Sequence, residues 1–251
     1  MSRIGRIELV TGLDEEPRLR DVLRRRKDRK LLSRAAKLAL PAAARALGGI
    51  EDPSEFGLFV GVRREPPDQG EADAAIAASH RDGRLDVELL ATAGRDLYPP
   101  LLPLMTLPNM VLAHISINLG IMGPADTCTG GPAAGVQALR AAMHAVDEGR
   151  CEAALCVVTD SHVDGGSRRD LHRRGIDVRP GEAAVAVLVR GGEGLIDGGA
   201  GCGGRPVPYA HHGDLGWCGT ADPLVLLARG GQRIEGVDSG GAWARVAVAS
   251  E

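Results

Sequence analysis

Apolar and polar positions follow two different periods along this chain, and the two periods alternate. Apolar residues at every second position, or in short unbroken runs, predict strands, whereas apolar residues three and four apart predict helices. The predicted strands span residues 4–12, 55–62, 151–161 and 181–191, and residues 232–250 form a hairpin around Gly240 and Gly241. Helices are predicted at residues 28–49, 71–83 and 219–231, within 110–124 ahead of a glycine turn, and from the elbow near residue 132 to Gly149. Because strands alternate with helices, the pattern predicts an α/β fold.

Four features argue against regular structure. Pro41 lies inside the first predicted helix and is expected to kink or divide it, because proline removes a backbone hydrogen bond. Residues 96–109 are apolar but rich in proline, which predicts a loop packed over an apolar surface. Residues 162–180 are predicted to be a polar connection, and the glycine-rich stretch from Gly191 to Gly204 a loop or linker.

Composition is that of a globular protein with few aromatic residues. Hydrophobic residues make up 44% of the 251 residues and aromatic residues only 2%, so the core must consist largely of Ala, Val, Leu and Ile. The formal net charge of −3 argues against a general polyanion binder, and no nucleic acid partner is expected. The basic run RLRDVLRRRKDRK at residues 18–30 is interpreted as a solvated face ahead of a helix rather than as a binding patch.

Cysteine use and the lack of long apolar runs indicate the compartment. The cysteines are odd in number and lack the spacing of a zinc site, which indicates a reducing environment; they are Cys128, Cys151, Cys156, Cys202 and Cys218. The first residues contain no apolar run typical of a signal peptide, and no run approaches the roughly 20 residues that span a bilayer. We therefore expect a cytoplasmic protein without a membrane span.

The stretch GPADTCTGGPAAGVQAL, residues 123–139, carries the most distinctive pattern. It predicts a short polar strand, a Gly-Gly turn and the N-terminus of an Ala-rich helix. Such an elbow presents nucleophiles or holds anions, because the first helical N–H groups have no partners within the helix. The residue at the elbow is Pro132, which has no reactive group. The stretch also lacks the lysine of a P-loop and the Rossmann spacing, so its signal for phosphate binding is weak.

Six motifs, in order, resemble the N-terminal half of the β-ketoacyl synthases, which have the thiolase fold. They are DRKLLSRAAKLAL, FGLFVGV, LPNMVLAHISINLGIMGPADT, the elbow itself, RCEAALCVVTDS and RPGEAAVAVLV. The resemblance implies a mixed β-sheet flanked by helices, essentially the N-terminal half of a ketosynthase with a vestigial C-terminal part. Residues 1–251 then form one domain, with a core at 1–191, a Gly-rich loop at 192–210 and a helix plus hairpin at 211–251.

In the resembled family the elbow carries the nucleophilic cysteine, and here Pro132 stands in its place. Gly123, Pro124 and Thr127 before it, and Ala133–Gly135 and Ala138–Leu139 after it, match the family pattern without a gap. The family's two catalytic histidines and a lysine lie in a C-terminal half for which this chain is too short. Proline is tolerated in the first turn of a helix, but the thiolate is gone. The resemblance therefore implies no condensing activity.

Two nearby features leave alternatives open. Cys128 lies four residues before Pro132, and a thiol near a helix N-terminus can have a lowered pKa, with His211 or His212 as its base. Without a gap in the register, Cys128 is instead a small packing residue on the strand. The HHGD segment at 211–214, with Cys218 nearby, contains metal-capable ligands, but we interpret it as a polar turn.

The retained elbow region implies an interface between subunits. In the resembled family the strand before the elbow pairs with its counterpart across a two-fold axis. The predicted interface residues are Thr127, Cys128, Thr129, Gly130, Gly131, Pro132, Val136, Leu139 and Met143. The implied function is that of a chain-length-factor-like subunit that pairs with a full-length ketosynthase. The pair would act in polyketide or fatty-acid-type biosynthesis, as in type II polyketide or aryl polyene systems. An acyl carrier protein delivers the acyl chains, and no cofactor or metal is required. The alternatives are an active acyl-transfer enzyme using Cys128 and a homodimeric acyl-binding scaffold.

Overall fold

The computed structural model describes residues 1–11, 18–64, 69–98, 105–163, 165–173, 177–204, 215–239 and 241–248. The strands are β1 (Ser2–Thr11), β2 (Gly57–Val62), β3 (His80–Arg81), β4 (Arg84–Leu85), β5 (Ala125–Thr129), β6 (Ala153–Ser161), β7 (Glu182–Gly191), β8 (Leu195–Gly201), β9 (Arg233–Val237) and β10 (Trp243–Val248). The helices are α1 (Arg34–Ala46), α2 (Gln69–Ala78), α3 (Val87–Leu89, continued by a π-helical turn Leu90–Gly94 and by Arg95–Leu97), α4 (Asn109–Leu119), α5 (Pro132–Asp147), α6 (Gly165–Arg173) and α7 (Asp222–Ala228).

Eight of these strands form one mixed sheet in the order β5-β2-β6-β7-β1-β8-β10-β9. Strands β5, β2 and β6 are parallel, and the following neighbours are antiparallel. A single residue pair, Ser2 with Leu195, joins β1 to β8. The carboxyl ends of the three parallel strands therefore meet at one edge of the sheet, which is where ligand sites of such sheets are found.

The centre of the sheet is buried on both faces, so its strands are almost continuously apolar. On one face Leu58, Leu155 and Leu188 pack against α1 and α4. On the other face Val158, Val185 and Val187 pack against α5 and α7. Alanines on α1 and α5 allow these helices to approach the sheet closely, which explains how a core with so few aromatic residues is filled.

Helix α5 is covered on a second side by the C-terminal hairpin. It contacts β2 and β6 on one side and β9 and β10 on the other. Ile234 of β9 and Val246 of β10 join the same apolar core as Leu139 of α5. The hairpin is thus part of the fold that surrounds the elbow, and its position brings residues 236–238 to the start of α5.

The structure confirms most of the predicted elements and corrects four. Residues 192–210 were predicted to be a loop, but β8 occupies Leu195–Gly201 because β10 and β1 supply its hydrogen bonds. The polar connection at 162–180 contains α6. Pro41 lies inside α1 without dividing it, and the helix begins only at Arg34, capped by Ser33. The helix predicted at 71–83 ends at Ala78 and is followed by the β3–β4 hairpin.

Some predictions fall partly outside the described residues. Residues 99–104 of the apolar loop at 96–109, Gly240 of the terminal hairpin and the HHGD segment lie there. Within the described residues, no helix is both long enough and apolar enough to cross a membrane.

Candidate functional site

The elbow lies at the carboxyl end of β5, where the chain turns into α5. Gly130 has a φ of +151°, a conformation that favours glycine, and Gly131 is the residue that precedes the helix. Pro132 occupies the first position of the helix, where a missing N–H leaves no broken hydrogen bond. The predicted strand–turn–helix elbow is therefore confirmed, with proline at its first helical position.

The N–H groups of Ala133 and Ala134, in the first turn of α5, already have partners. Pro132 has no N–H, and the N–H of Ala133 donates to Oδ1 of Asp238 at 2.9 Å. The N–H of Ala134 donates to the carbonyl of Gly131 at 3.0 Å. An elbow that stabilises an oxyanion needs free donors aimed at the reacting atom. Here the carboxylate of Asp238 takes the place that such an anion would occupy.

Close backbone packing holds Asp238 in this position. Asp238 begins the turn between β9 and β10, where its N–H donates to Ala242 and its carbonyl accepts from Gly241. Two residues earlier, in β9, Gly236 lies so close to the Pro132 carbonyl that a Cβ atom on residue 236 would overlap that carbonyl. A negative side chain at a helix N-terminus is favoured by the helix dipole, by about 0.3–1 kcal/mol at exposed sites. The β9–β10 hairpin thus places the Asp238 carboxylate at the N-terminus of α5, and the hairpin backbone packs directly against Pro132.

A buried ionic cluster connects the elbow to the end of β6. Asp160 is 2% exposed and accepts hydrogen bonds from Arg63 Nε at 3.0 Å, Thr220 N at 2.9 Å and Ser161 N at 2.8 Å. His162 Nε2 lies 3.1 Å from Oδ2 of Asp160, and the His162 ring stacks on Trp217. Burial by itself would raise the pKa of Asp160, but His162 and Arg63 lower it below its usual value.

Thr220 links this cluster to the elbow directly. Its N–H donates to Asp160, and its hydroxyl donates to the carbonyl of Gly130 at 2.9 Å. Its own carbonyl lies against Gly135 of α5, where only a glycine fits. Glu182 pairs with Arg34 through both carboxylate oxygens and accepts a hydrogen bond from the Ser161 hydroxyl. The contacts of Thr220 thus join the C-terminal segment to the elbow and to the end of β6.

Cys128 is held in conditions that disfavour a nucleophile. It is the fourth of the five residues of β5, half-buried against the core that contains α5, and lies four residues before Pro132. Burial, with a smaller contribution from Asp126, raises the pKa of its thiol to about 11. The thiolate is the reactive species, so almost none of it exists at neutral pH. His212, its predicted base, and His211 lie outside the described residues.

We expect alkylation of Cys128 by iodoacetamide to be slow at pH 7.5 and to rise about tenfold per pH unit up to pH 10. The rate is measured by peptide mass mapping after timed quenching. Cys202, which is exposed, serves as the internal reference. Modification of Cys128 at pH 7.5 as fast as that of Cys202 would support the acyl-transfer alternative.

The predicted interface residues separate into two groups. Thr127 to Pro132 are exposed or half-buried on β5 and the elbow. Val136, Leu139 and Met143 are at most 1% exposed, inside the core between the sheet and α7. Their helical spacing indicates a buried face of α5 just as well as an interface, and the fold of this chain already uses that face. These three side chains are therefore not available to a second subunit.

An apolar surface lies beside the outer edge of β5. Among the described strands β5 pairs only with β2, so its outer edge is open. Helix α4 contacts β5, and seven of its eleven residues are apolar. Ile117 on α4 is 57% exposed, and Met122, three residues after the helix, is 78% exposed. Large apolar side chains that are exposed close together are typical of a surface that a partner covers.

A separate cavity of about 700 Å³ lies between α2 and α3. Its lining is almost entirely apolar and comprises Ala72, Ala75, Ile76, Leu90, Ala91, Gly94, Arg95 and Tyr98. Volumes and linings of this kind are typical of sites for small apolar ligands. Across the described ranges no three His, Cys, Asp or Glu side chains are grouped so as to hold a metal ion.

The mixed sheet, its flanking helices and the strand–elbow–helix unit define the thiolase-like ketosynthase fold. The model of the beta-ketoacyl synthase N-terminal domain matches residues 12–200, and the chain belongs to this family. The predicted family and fold class are thereby confirmed. No curated protein matches the sequence.

Several solved structures are similar in fold at low sequence identity. The ishigamide ketosynthase/chain length factor has a TM-score of 0.61 at 16% identity, covering 94% of this chain and 85% of that chain. The ketosynthase ApeO in complex with its chain length factor ApeC, from Xenorhabdus doucetiae, has a TM-score of 0.58 at 14% identity, covering 98% of both chains. The AntDE:AntF complex, a type II polyketide synthase acyl-carrier protein with its ketosynthase, has a TM-score of 0.59 at 14% identity, covering 78% of this chain and 68% of that chain.

Proposed function

We propose that this chain is a non-catalytic, chain-length-factor-like subunit that pairs with a full-length β-ketoacyl synthase. The observation that carries this proposal is the occupied elbow. Pro132 supplies neither a nucleophile nor an N–H, and Asp238 accepts the N–H of Ala133. Acyl transfer requires a nucleophile and free donors for the oxyanion, whereas Pro132 has neither a thiol nor an N–H and the next N–H, that of Ala133, is already bound to Asp238. The partner would supply the catalytic residues, and acyl chains would arrive on a carrier protein.

The open edge of β5 and the adjoining outer face of α4 support a subunit interface at this place. An unpaired strand edge presents a row of N–H and C=O groups that a second strand can satisfy. Helix α4 contacts β5, and the exposed side chains of Ile117, on that helix, and of Met122, three residues after its end, would lose contact with water in a complex. Similar folds in ketosynthase/chain length factor complexes make a ketosynthase the partner of choice.

We expect co-expression with the ketosynthase encoded nearest to this chain to give a one-to-one complex by native mass spectrometry. The double variant Ile117→Glu/Met122→Glu is expected to lose the complex, because two charges would have to be buried without partners. Ile196→Glu is the matched control, since Ile196 is 53% exposed on β8, away from β5 in the sheet. Equal loss of the complex in the control would contradict the proposed interface.

A second candidate function, the acyl-binding homodimer, is favoured by the cavity between α2 and α3. Its apolar lining and its volume of about 700 Å³ suit an aliphatic chain. The same native mass measurement separates the two functions. A homodimer that does not exchange with the ketosynthase would support the scaffold, whereas the one-to-one complex would support the partner subunit.

A further inference from the structure

Two buried polar side chains on α4 bind the segment at residues 19–31. His114 and Asn118 lie one helical turn apart on α4 and are 7% and 8% exposed. The backbone N–H of Arg24 donates to Oδ1 of Asn118 at 2.9 Å, and the ring of His114 donates to the backbone carbonyl of Leu31. Two hydrogen bonds therefore join this segment to one face of α4.

The segment has an apolar anchor at each end. Leu19 is 4% exposed, Leu32 directly after the segment is 1% exposed, and both belong to the core that contains α1. Two 3₁₀ turns, Leu19–Asp21 and Arg26–Leu31, shape the chain between the anchors, and residues 24–27 are exposed. The middle of the segment can therefore open locally while both anchors stay in the core, and the two hydrogen bonds to α4 oppose that opening.

The second ring nitrogen of His114 is buried without a hydrogen-bond partner. Among the described residues no donor or acceptor reaches Nε2, so Nδ1 is the nitrogen that donates to Leu31. In the neutral ring Nε2 then carries only a lone pair. Protonation would place an N–H and a positive charge at Nε2, and a buried charged donor without an acceptor is costly. The site therefore accepts the neutral ring and disfavours the charged one.

The charges around His114 do not remove this preference. Helix α4 packs against α1, β2 and β5 as well as binding the segment, and β2 has no titratable side chain. Asp28 is the charge that acts on the ring. Burial lowers the pKa of His114 below its usual value, although Asp28 and the Leu31 carbonyl act in the opposite direction. The other charged or titratable groups on these elements are Arg34 (bound to Glu182), Lys37 and Arg45 on α1, Asp126 and Cys128 on β5, and Asp21 with seven Lys and Arg residues on the segment.

We propose that His114 is a pH-sensitive contact that holds residues 24–31 on α4 while its ring is neutral and releases them when the ring is protonated. The released ring can turn its second N–H toward water, which the closed arrangement prevents. Histidine is the side chain whose ordinary titration range lies just below neutral pH, so mild acid is sufficient to change the state of this contact.

The direction of the pH effect follows from the two states of the ring. A histidine whose folded pKa is lowered stabilises the closed arrangement fully above its unfolded pKa, about 6.5, and this contribution is lost as the pH falls below that value. The equilibrium constant for opening then increases by up to about tenfold per pH unit. Opening of the segment should therefore increase between pH 7.5 and pH 5.5.

Helix α4 also carries Ile117, so the state of His114 bears on the surface assigned to the partner subunit. That consequence rests on the proposed function, whereas the opening of the segment is a property of this chain alone. The test uses the isolated full chain, so its result does not depend on pairing with a ketosynthase.

The test measures amide hydrogen exchange at pH 7.5 and pH 5.5, expressed as protection factors so that the pH dependence of the chemical step cancels. The Arg24 amide, which donates to Asn118, reports the opening, and the Lys37 amide, which donates to Ser33 in α1, is the internal reference. We expect the protection factor of Arg24 to fall about five- to tenfold at the lower pH and that of Lys37 to change less than about twofold.

Two variants separate His114 from other titrating groups. His114→Asn keeps a donor near the position of Nδ1 but cannot become charged, so the fall at Arg24 is expected to shrink to less than about twofold. His144→Asn is the matched control, since His144 is an exposed histidine on α5 that binds Asp197, and it should leave the fall unchanged. NMR titration of the His114 ring in the unmodified chain needs no variant and is expected to give a pKa below the ordinary value of about 6.5.

Three results would overturn the proposal. The first is an equal fall of Arg24 protection in His114→Asn, which would assign the effect to another group. The second is an unchanged protection factor in the unmodified chain between the two pH values. The third is a ring pKa for His114 at or above about 6.5, because the closed arrangement would then not disfavour the charged ring.

Discussion

Replacing Asp160 by Asn is expected to destabilise the protein by about 3 kcal/mol, the largest effect of a single polar substitution that the structure predicts. Arg63, His162 and the N–H groups of Ser161 and Thr220 all point toward the Asp160 carboxylate. An asparagine amide would direct an NH₂ group at one of these donors and leave the half-buried guanidinium of Arg63 without its counter-charge. Chemical denaturation measures the loss, and hydrogen exchange at residues 130–135 reports whether the elbow loosens with it.

The pH dependence of Asp160 gives an independent check. Although burial opposes it, the pairing with His162 and Arg63 lowers the pKa of Asp160 in the folded state. A carboxyl group with a lowered folded pKa stabilises the protein above its unfolded pKa, about 3.9, and the contribution is lost as the pH falls through the folded value. The stability difference between wild type and Asp160→Asn should therefore be full near pH 6 and shrink below about pH 4.

Asp197→Asn is the matched control for burial. Asp197 also binds an arginine and a histidine, Arg140 and His144, but it is 30% exposed. Solvent screens such a pair, so a loss of about 1 kcal/mol or less is expected. If Asp197→Asn costs as much as Asp160→Asn, burial does not govern the energy of these clusters.

Replacing Gly236 by Ala is expected to cost about 3 kcal/mol or more and to move the C-terminal hairpin off the elbow. The new Cβ would overlap the carbonyl group of Pro132 and crowd the N–H of Ala133, which are backbone atoms and cannot rotate away. The hydrogen bond from Ala133 to Asp238 would break with the displacement. Thermal unfolding measures the destabilisation, and faster exchange of the Ala133 amide measures the loss of the contact.

Gly191→Ala is the control for the glycine substitution itself. Gly191 ends β7, has no positive φ, and has open space where the Cβ would lie. A change within about 0.5 kcal/mol is expected there. A Gly236→Ala protein as stable as Gly191→Ala would show that the hairpin is not packed on the elbow, and the argument that Asp238 occupies the site would fail.

Local sequence patterns determined the elements that their own residues specify. The apolar runs of β2, β6 and β7 predicted strands, and helical spacing predicted α4 and α5. Gly-Gly-Pro predicted the elbow, since glycine supplies the unusual φ of Gly130 and proline suits the first helical position. The absence of a thiol at Pro132 was visible from the sequence alone.

The tertiary structure decided those features that depend on contacts between residues far apart in the sequence. Strand β8 is too rich in glycine to be recognised by its own pattern and exists because β10 and β1 complete its hydrogen bonds. Asp238 lies 105 residues from Ala133, and no local signal in the DSGG turn indicates which helix it caps. Helical spacing could not distinguish a core face from an interface, and Val136, Leu139 and Met143, predicted at an interface, lie in the core of this chain. Spacing records only that side chains share a face, whereas what covers that face is settled by contacts between segments far apart in sequence.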